Sequence, residues 1–154
     1  MSKKNNNIIN NNKAYYNFSV KNTFIAGIVL KGWEVKSIRK KKIDISKGYV
    51  LFRFNELYLN SVKIEFIQAK KNYEETNALR ERKLLLTKKE IKFIYEEIKK
   101  KKYTIIPLSL FWKKNWCKIK IGLSKGKKKY DKRNTERKKS WKMEQLKIMK
   151  KNTK

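Results

Sequence analysis

The sequence predicts a mainly β domain, a small closed antiparallel barrel of about six strands with about three helices, followed by a basic C-terminal tail. Three observations predict it. Apolar residues recur at alternate positions in short runs separated by turn-forming residues, the period of a half-buried strand. One stretch, 87–101, instead repeats at helical spacing behind a capping signal. After residue 124 the apolar periodicity stops and cationic residues take over. A chain of 154 residues is one domain's worth, enough for a small core.

Residues 1–12, MSKKNNNIINNN, offer almost nothing to bury and read as a disordered arm ahead of a barrel over 13–124 and a tail over 125–154. Phe18, Val20, Phe24, Ala26, Ile28 and Leu30 alternate as a strand with an irregular centre at Lys21 and Asn22. Gly27 suits a bulge or a close backbone approach there. Gly32 breaks the run. Residues 33–42 then read as a short helix with Val35 and Ile38 inward and Lys36, Arg39 and Lys40 toward solvent.

Residues 49–54 and 57–64 are two strands around a tight turn at Asn55-Glu56. Residues 65–80 carry both charge signs without a period and read as a long loop. A short strand follows at 83–86. Thr87 and Glu90 then form a T-x-x-E capping box, in which each side chain caps the other's backbone N–H. Ile91, Ile94, Tyr95 and Ile98 make one helical stripe, and lysines 99–102 suit the negative end of the helix dipole. This helix is expected to end near Lys101.

The last pair of strands, 103–112 and 116–123, is joined by Lys113, Lys114 and Asn115, a length that suits a hairpin. In its second strand Trp116, Lys118, Lys120 and Gly122 form a wet face, and Cys117, Ile119, Ile121 and Leu123 a dry one. Short strands with one long helix before the last pair suggest an OB-like barrel. Such a barrel manages its edges by closure and often offers an outer face to oligonucleotides.

Composition narrows the function classes. A net charge of +30 points to a polyanionic partner. Only six of the 43 basic residues are Arg, and Lys, Asn and Ile are all abundant, as AT-rich coding produces without selection for binding. No segment approaches the ~18–20 apolar residues of a membrane span, and the N-terminus has no apolar signal core. The protein is therefore expected to be cytoplasmic, with no membrane partner. The chain has no His and one Cys, so Ser–His and Cys–His nucleophile pairs, a zinc site and an intrachain disulfide are all excluded.

The 13 carboxylates are scattered, mostly beside lysines. The adjacent pairs Glu74-Glu75 and Glu96-Glu97 point apart on any regular element. Gly126-Lys127-Lys128 lacks the spacing of a phosphate-binding loop. No catalytic residue, cofactor, metal or small-molecule substrate is expected. Lone Cys117 reads as a small buried apolar residue. Trp112, Trp116, Tyr130 and Trp141 sit among lysines, where rings stack on bases and cations hold phosphates. For Trp112 and Trp116 cross-strand packing is the plainer reading. Tyr130 and Trp141 lie outside the apolar pattern.

From residue 125 onward 14 Lys and Arg face three acids. On a helix Trp141, Gln145, Ile148 and Met149 share one face, a stripe too thin to fold alone. Two readings stay open, a disordered basic tail and a segment that orders on a nucleic-acid surface.

Several stretches in order resemble the SmpB family, the SsrA-binding proteins of bacterial ribosome rescue. They are GWEVKSIR at 32–39, SKGYVLFR at 46–53, RKLLL at 82–86, GKK at 126–128 followed by DKR at 131–133, and WKMEQLKIMK at 141–150. The resemblance covers roughly 11–151. It implies an OB-like barrel that binds the tRNA-like domain of transfer-messenger RNA. It also implies a tail that occupies the empty mRNA channel and decoding centre of stalled ribosomes, helical when bound there. It places Gly32, Glu34, Val35, Lys36, Ser37 and Arg39 on the RNA-binding side, with Gly126, Lys127 and Lys128 leading into the tail. Asp131, Lys132, Arg133, Arg137, Trp141, Ile148 and Met149 match the family's ribosome-binding tail. The chain departs from the family pattern at Tyr15, Tyr16, Ile25 and Ala78. The rival class is a ribosomal or general structural RNA-binding protein; an enzyme acting on RNA is disfavoured by the missing acid–base groups.

Overall fold

The computed structural model describes residues 6–67 and 77–153. Its strands are β1 (Asn7–Asn10), β2 (Phe18–Ile28), β3 (Ile43–Asp44), β4 (Tyr49–Arg53), β5 (Glu56–Asn60), β6 (Lys63–Ile64), β7 (Arg82–Leu85), β8 (Thr104–Lys113) and β9 (Trp116–Gly126). Its helices are α1 (Asn12–Asn17), α2 (Gly32–Arg39), α3 (Lys88–Lys101) and α4 (Lys129–Asn152). Six strands pair antiparallel in the order β8-β4-β5-β7-β2-β9, and β9 returns to β8, so the sheet closes on itself. That is the closed antiparallel architecture expected. β1 adds to the edge of β8, and β3 pairs with β6 apart from the ring.

The ring encloses a core of Ile38, Leu57, Leu59, Leu84, Ile94, Leu110, Ile119, Ile121 and Leu123, all with almost no exposure. Helix α3 plugs it as its stripe requires, with Ile94 fully buried. The helix starts at the capping box, where Thr87 Oγ1 accepts from Glu90 N at 3.3 Å and a Glu90 carboxylate oxygen accepts from Thr87 N at 2.9 Å. β2 carries its irregularity between Val20 and Asn22, as the broken alternation implied. Gly27 is a close approach: a Cβ there lies 3.3 Å from Leu85 Cβ.

Several expectations change. The 1–12 arm is structured from Asn7, because β1 pairs with β8 and Asn11 is buried. The Asn11 carboxamide oxygen accepts from Ala14 N at 3.1 Å, capping α1, while its amide donates to Pro107 O at 2.9 Å and Ile45 O at 3.3 Å. Helix α1, at a position no sequence signal marked, makes the described helices ahead of the tail three, the number expected, and covers a second small core of Ala14, Ile106 and Leu108 with Phe18 and Val20. Gly122 therefore lies buried under this layer instead of on the wet face of β9. A Cβ there meets Val20 Cγ1 at 2.9 Å and Leu108 Cδ1 at 3.0 Å.

β9 does not stop at 124: Lys125 pairs with Ser19 and Gly126 with Phe18, so the barrel runs two residues past its expected boundary. Both hairpin turns are two residues long: Phe54-Asn55 lies one place before the expected Asn55-Glu56, and Lys114-Asn115 is one residue shorter than the expected 113–115 loop, because Lys113 pairs with Trp116. The 57–64 strand splits into β5 and β6 at Ser61, which has φ +56°. The 33–42 helix is Gly32–Arg39. The expected 65–80 loop lies partly outside the described residues, as do Glu74 and Glu75. The tail, whose free form reads from sequence as disordered, is the 24-residue helix α4. Its length exceeds the ~12–15 residues at which an isolated helix becomes marginal, and Asp131 in its first turn and Lys150 and Lys151 in its last both suit the dipole.

Candidate nucleic-acid interface

Three cationic surfaces lie on this frame. The first is built by α2. Gly32 opens the helix, and Lys36, Arg39 and Lys40 are exposed along it, as their spacing predicts. Glu34, Val35 and Ser37 are elsewhere. Ser37 is buried and donates to Trp33 O at 3.0 Å, Val35 is half-buried, and Glu34 is fully buried. Glu34 and Ser37 thus bond within the protein, behind the exposed cations of α2.

Glu34 does so through an ion cluster. Its carboxylate accepts from Lys31 N at 2.8 Å, from Arg80 Nη2 at 2.7 Å and from Arg82 Nε at 2.8 Å. Arg82 is itself fully buried and donates to Val62 O at 2.9 Å and Ala78 O at 3.2 Å. Burial pushes the Glu34 carboxyl up. The bonds from Arg80 and Lys31 N and the charge of Arg82 outweigh it, and the carboxyl is held below its usual range. Burial also pulls Arg82 down against the opposing pull of Glu34. Nothing local announces this cluster beyond two arginines in a lysine-rich chain. Arg suits such a site because its planar fork can saturate several acceptors at once.

Beside α2 lies a cleft of about 440 Å³, lined by Gly32, Trp33, Lys36, Arg39, Lys40 and Phe66 among others. Trp33 and Phe66 meet edge to face at 5.6 Å. The Arg39 guanidinium sits 5.8 Å from the Trp112 ring centroid, near the outer limit for cation–π attraction. Trp112 packs against the core opposite Cys117, whereas Trp116 is well exposed.

The second surface is the outer face of β2, β7 and β9, which motif reasoning did not assemble. Cross-strand partners share a face, so Ile25 opposite Lys120 and Gly27 opposite Lys118 and Leu85 combine into one patch. Ile25 and Leu85 are exposed, a pairing of lysines with bare apolar side chains. The wet-face lysines of the 116–123 strand were the legible half of this signal.

The third surface is the junction and tail. Lys127 N donates to Asn17 O at 2.8 Å, and its ammonium donates to Tyr15 O at 3.0 Å and Thr135 Oγ1 at 3.1 Å. Tyr16 donates its hydroxyl proton to Glu136, a bond that raises the phenol above its ordinary value. The base of α4 is thus strapped to α1 by Tyr15 and Tyr16, two of the positions that depart from the family pattern. Gly126 and Lys128 are exposed beside it. Asp131, Arg133 and Arg137 are exposed and Lys132 is half-buried. The helix buries none of its residues: Tyr130 before Glu136, and Trp141, Ile148 and Met149 beyond it, are all exposed. The structure brings Gly126, Lys127 and Lys128 to the root of α4, and sets Trp141, Ile148 and Met149 on its exposed length.

Among the described residues no cluster of His, Cys, Asp and Glu could hold a metal, and no helix is long and apolar enough to cross a membrane.

Comparison with known proteins gives the family. The model of the SmpB protein matches residues 8–151. A Buchnera aphidicola (subsp. Acyrthosiphon pisum, strain Tuc7) SsrA-binding protein is 48% identical over 149 residues, 97% of this chain and 92% of that one. The SsrA-binding protein of Buchnera aphidicola subsp. Schizaphis graminum (strain Sg) is 45% identical over 145 residues, 94% of this chain and 89% of that one. A solved chain described as "tmRNA-SmpB: a journey to the center of the bacterial ribosome" superposes with a TM-score of 0.64 at 34% identity, over 79% of this chain and 85% of the other. With its barrel, its tail and nearly its whole length matched, the chain belongs to the SmpB family.

Proposed function

We propose that this protein is an RNA-binding adaptor of trans-translation, which takes the tRNA-like domain of transfer-messenger RNA on its barrel and delivers it to stalled ribosomes. The observation that carries this is the family match over 8–151, joined to relatives named SsrA-binding protein and to a solved neighbour described with tmRNA and the ribosome. The physical arrangement fits that role. Lys36, Arg39 and Lys40 on α2 and Lys118 and Lys120 on the outer sheet stand free of any salt bridge to a described residue. They suit phosphates of a folded RNA, read mostly by its shape. Glu34, Val35 and Ser37 support those cations from behind. Helix α4, with Arg133, Arg137, Trp141, Ile148 and Met149, is the part that enters the mRNA channel toward the decoding centre, where phosphates neutralise its lysines. No step of this role asks the protein for catalysis, and its place is the cytoplasm with the ribosome.

The experiment is to purify the tagged protein from its cells and sequence the RNA that comes with it. Enrichment of transfer-messenger RNA over ribosomal RNA is expected. Stoichiometric sedimentation with all ribosomes, without that RNA, would overturn the proposal in favour of a constitutive ribosomal component.

A further inference from the structure

The β4–β5 turn carries a side chain that the fold does not ask for. Phe54 and Asn55 both have positive φ, +50° and +59°, and they are the two loop residues between the paired Arg53 and Glu56. Such turns favour Asn, Asp and Gly, because L side chains resist that backbone region. A bulky Phe there is an outlier, and it is 85% exposed, the barest large apolar side chain among the described residues. Neither its conformation nor its burial stabilises the molecule. An outlier that persists without a stabilising reason points to function.

What adjoins it gives that function a chemistry. Asn55 lines a cleft of about 370 Å³ with Phe52, Lys88, Ile91, Lys92 and Tyr95. Phe52 and Tyr95 stack at 4.7 Å and 30°, so the wall is rigid and aromatic. Two lysines and no acid line the cleft. The acids close by in sequence are engaged: Glu56 by Lys83 at 2.6 Å and Tyr58 at 2.9 Å, and Glu90 in the cap of α3. An aromatic ring held out in water, next in the chain to a cleft whose two lysines form no salt bridge with a described residue, matches a base and its phosphate, where stacking tolerates any base. An apolar knob for a protein partner would not call for the lysines.

We propose that Phe54 and this cleft seat one unpaired nucleotide of the bound RNA, its base stacked on Phe54 and its phosphate held by Lys88 and Lys92. The proposal rests on the RNA-binding reading above and adds a contact on the side of the barrel served by β4, β5 and α3. The test uses two RNA probes, a stem–loop with 2-aminopurine in its unpaired loop and a blunt duplex of the same stem. The intact protein is expected to bind the stem–loop more tightly than the duplex and to quench the 2-aminopurine. Phe54→Asn suits the turn better, so its melting temperature should hold or rise. It should nonetheless weaken stem–loop binding about tenfold and abolish the quench, with duplex binding unchanged. Phe54→Tyr should keep both. If Phe54→Asn binds both probes as the wild type does, or weakens both equally, the seat does not exist. If the wild type binds neither probe, the RNA-binding reading itself fails. A photo-crosslinking side chain at position 54 gives the last arm: an RNA adduct supports the seat, and a protein adduct overturns it.

Discussion

Glu34 sits between lysines and arginines in its own stretch and reads locally as one more solvated acid. Its partners, Arg80 and Arg82, lie 46 and 48 residues away in the chain, and no local period can announce such a pairing. Removing the charge should therefore cost far more than a surface substitution. Glu34→Gln keeps the shape but leaves buried Arg82 without its counter-charge, and about 3–5 kcal/mol of stability is expected to go, measured by urea unfolding. The pH dependence has a definite sign. The folded Glu34 carboxyl lies below its ordinary 4.5, so its contribution is fully present above that value and is lost as pH falls through the folded one. The gap between wild type and Glu34→Gln should narrow on acidification below about pH 4.5; a constant gap would show that the cluster is not ionic. Cys117 was legible from its strand face alone, and it is buried, with its thiol pushed up to about 12 by desolvation. It should resist iodoacetamide at neutral pH until the protein is unfolded, because the thiolate is the nucleophile. Cys117→Ser should leave RNA affinity intact; a folded Ser variant that lost binding would contradict the packing role.

At the scale of elements, what was legible followed from strong periods and caps: the α3 capping box, the alternation of β9, the flaw in β2. What was not legible rests on distant partners. The Asn-rich start reads as disorder by composition, yet Asn11 places its carboxamide between α1, Pro107 and Ile45, and that requires β8 already in position. The end of β9 was misplaced for a similar reason: Lys125 and Gly126 are not apolar, but their backbones still pair with Ser19 and Phe18. Truncation distinguishes the two boundaries. A chain ending at Lys128 should melt like the intact protein, whereas one ending at Ser124 should melt lower, since it loses the last rungs of the β2–β9 ladder and the Lys127–Asn17 bond. Equal melting temperatures would return the barrel's edge to 124. The base of α4 depends on its own strap. Glu136→Gln should speed amide exchange over residues 129–136 and leave the ring strands unchanged.

For the molecule as a whole, the +30 charge is spread over a closed barrel and a helix bonded to it at the root. Binding to a folded RNA should then fall linearly on log–log axes as salt rises, because each neutralised phosphate releases counterions; a flat response would mean that phosphates are not the main contact. The two parts should separate. The barrel's ladders and cores lie ahead of α4, so deleting residues 134–154 should leave it folded and still able to bind the tRNA-like RNA with a shallower salt slope. The same deletion should abolish tagging of stalled peptides. Length and charge are not the whole of the tail's part, since Trp141, Ile148 and Met149 stand exposed on one helix face with nothing among the described residues to cover them. Bare apolar groups on a cationic helix cost little in isolation and gain free energy only where a groove accepts them. Ile148→Asp with Met149→Asp keeps the length and changes the net charge by two. RNA affinity should then move only by that small electrostatic amount, while tagging fails. If the double variant tags at the normal rate, the distal helix acts as a plain polycation and its apolar face has no part in rescue.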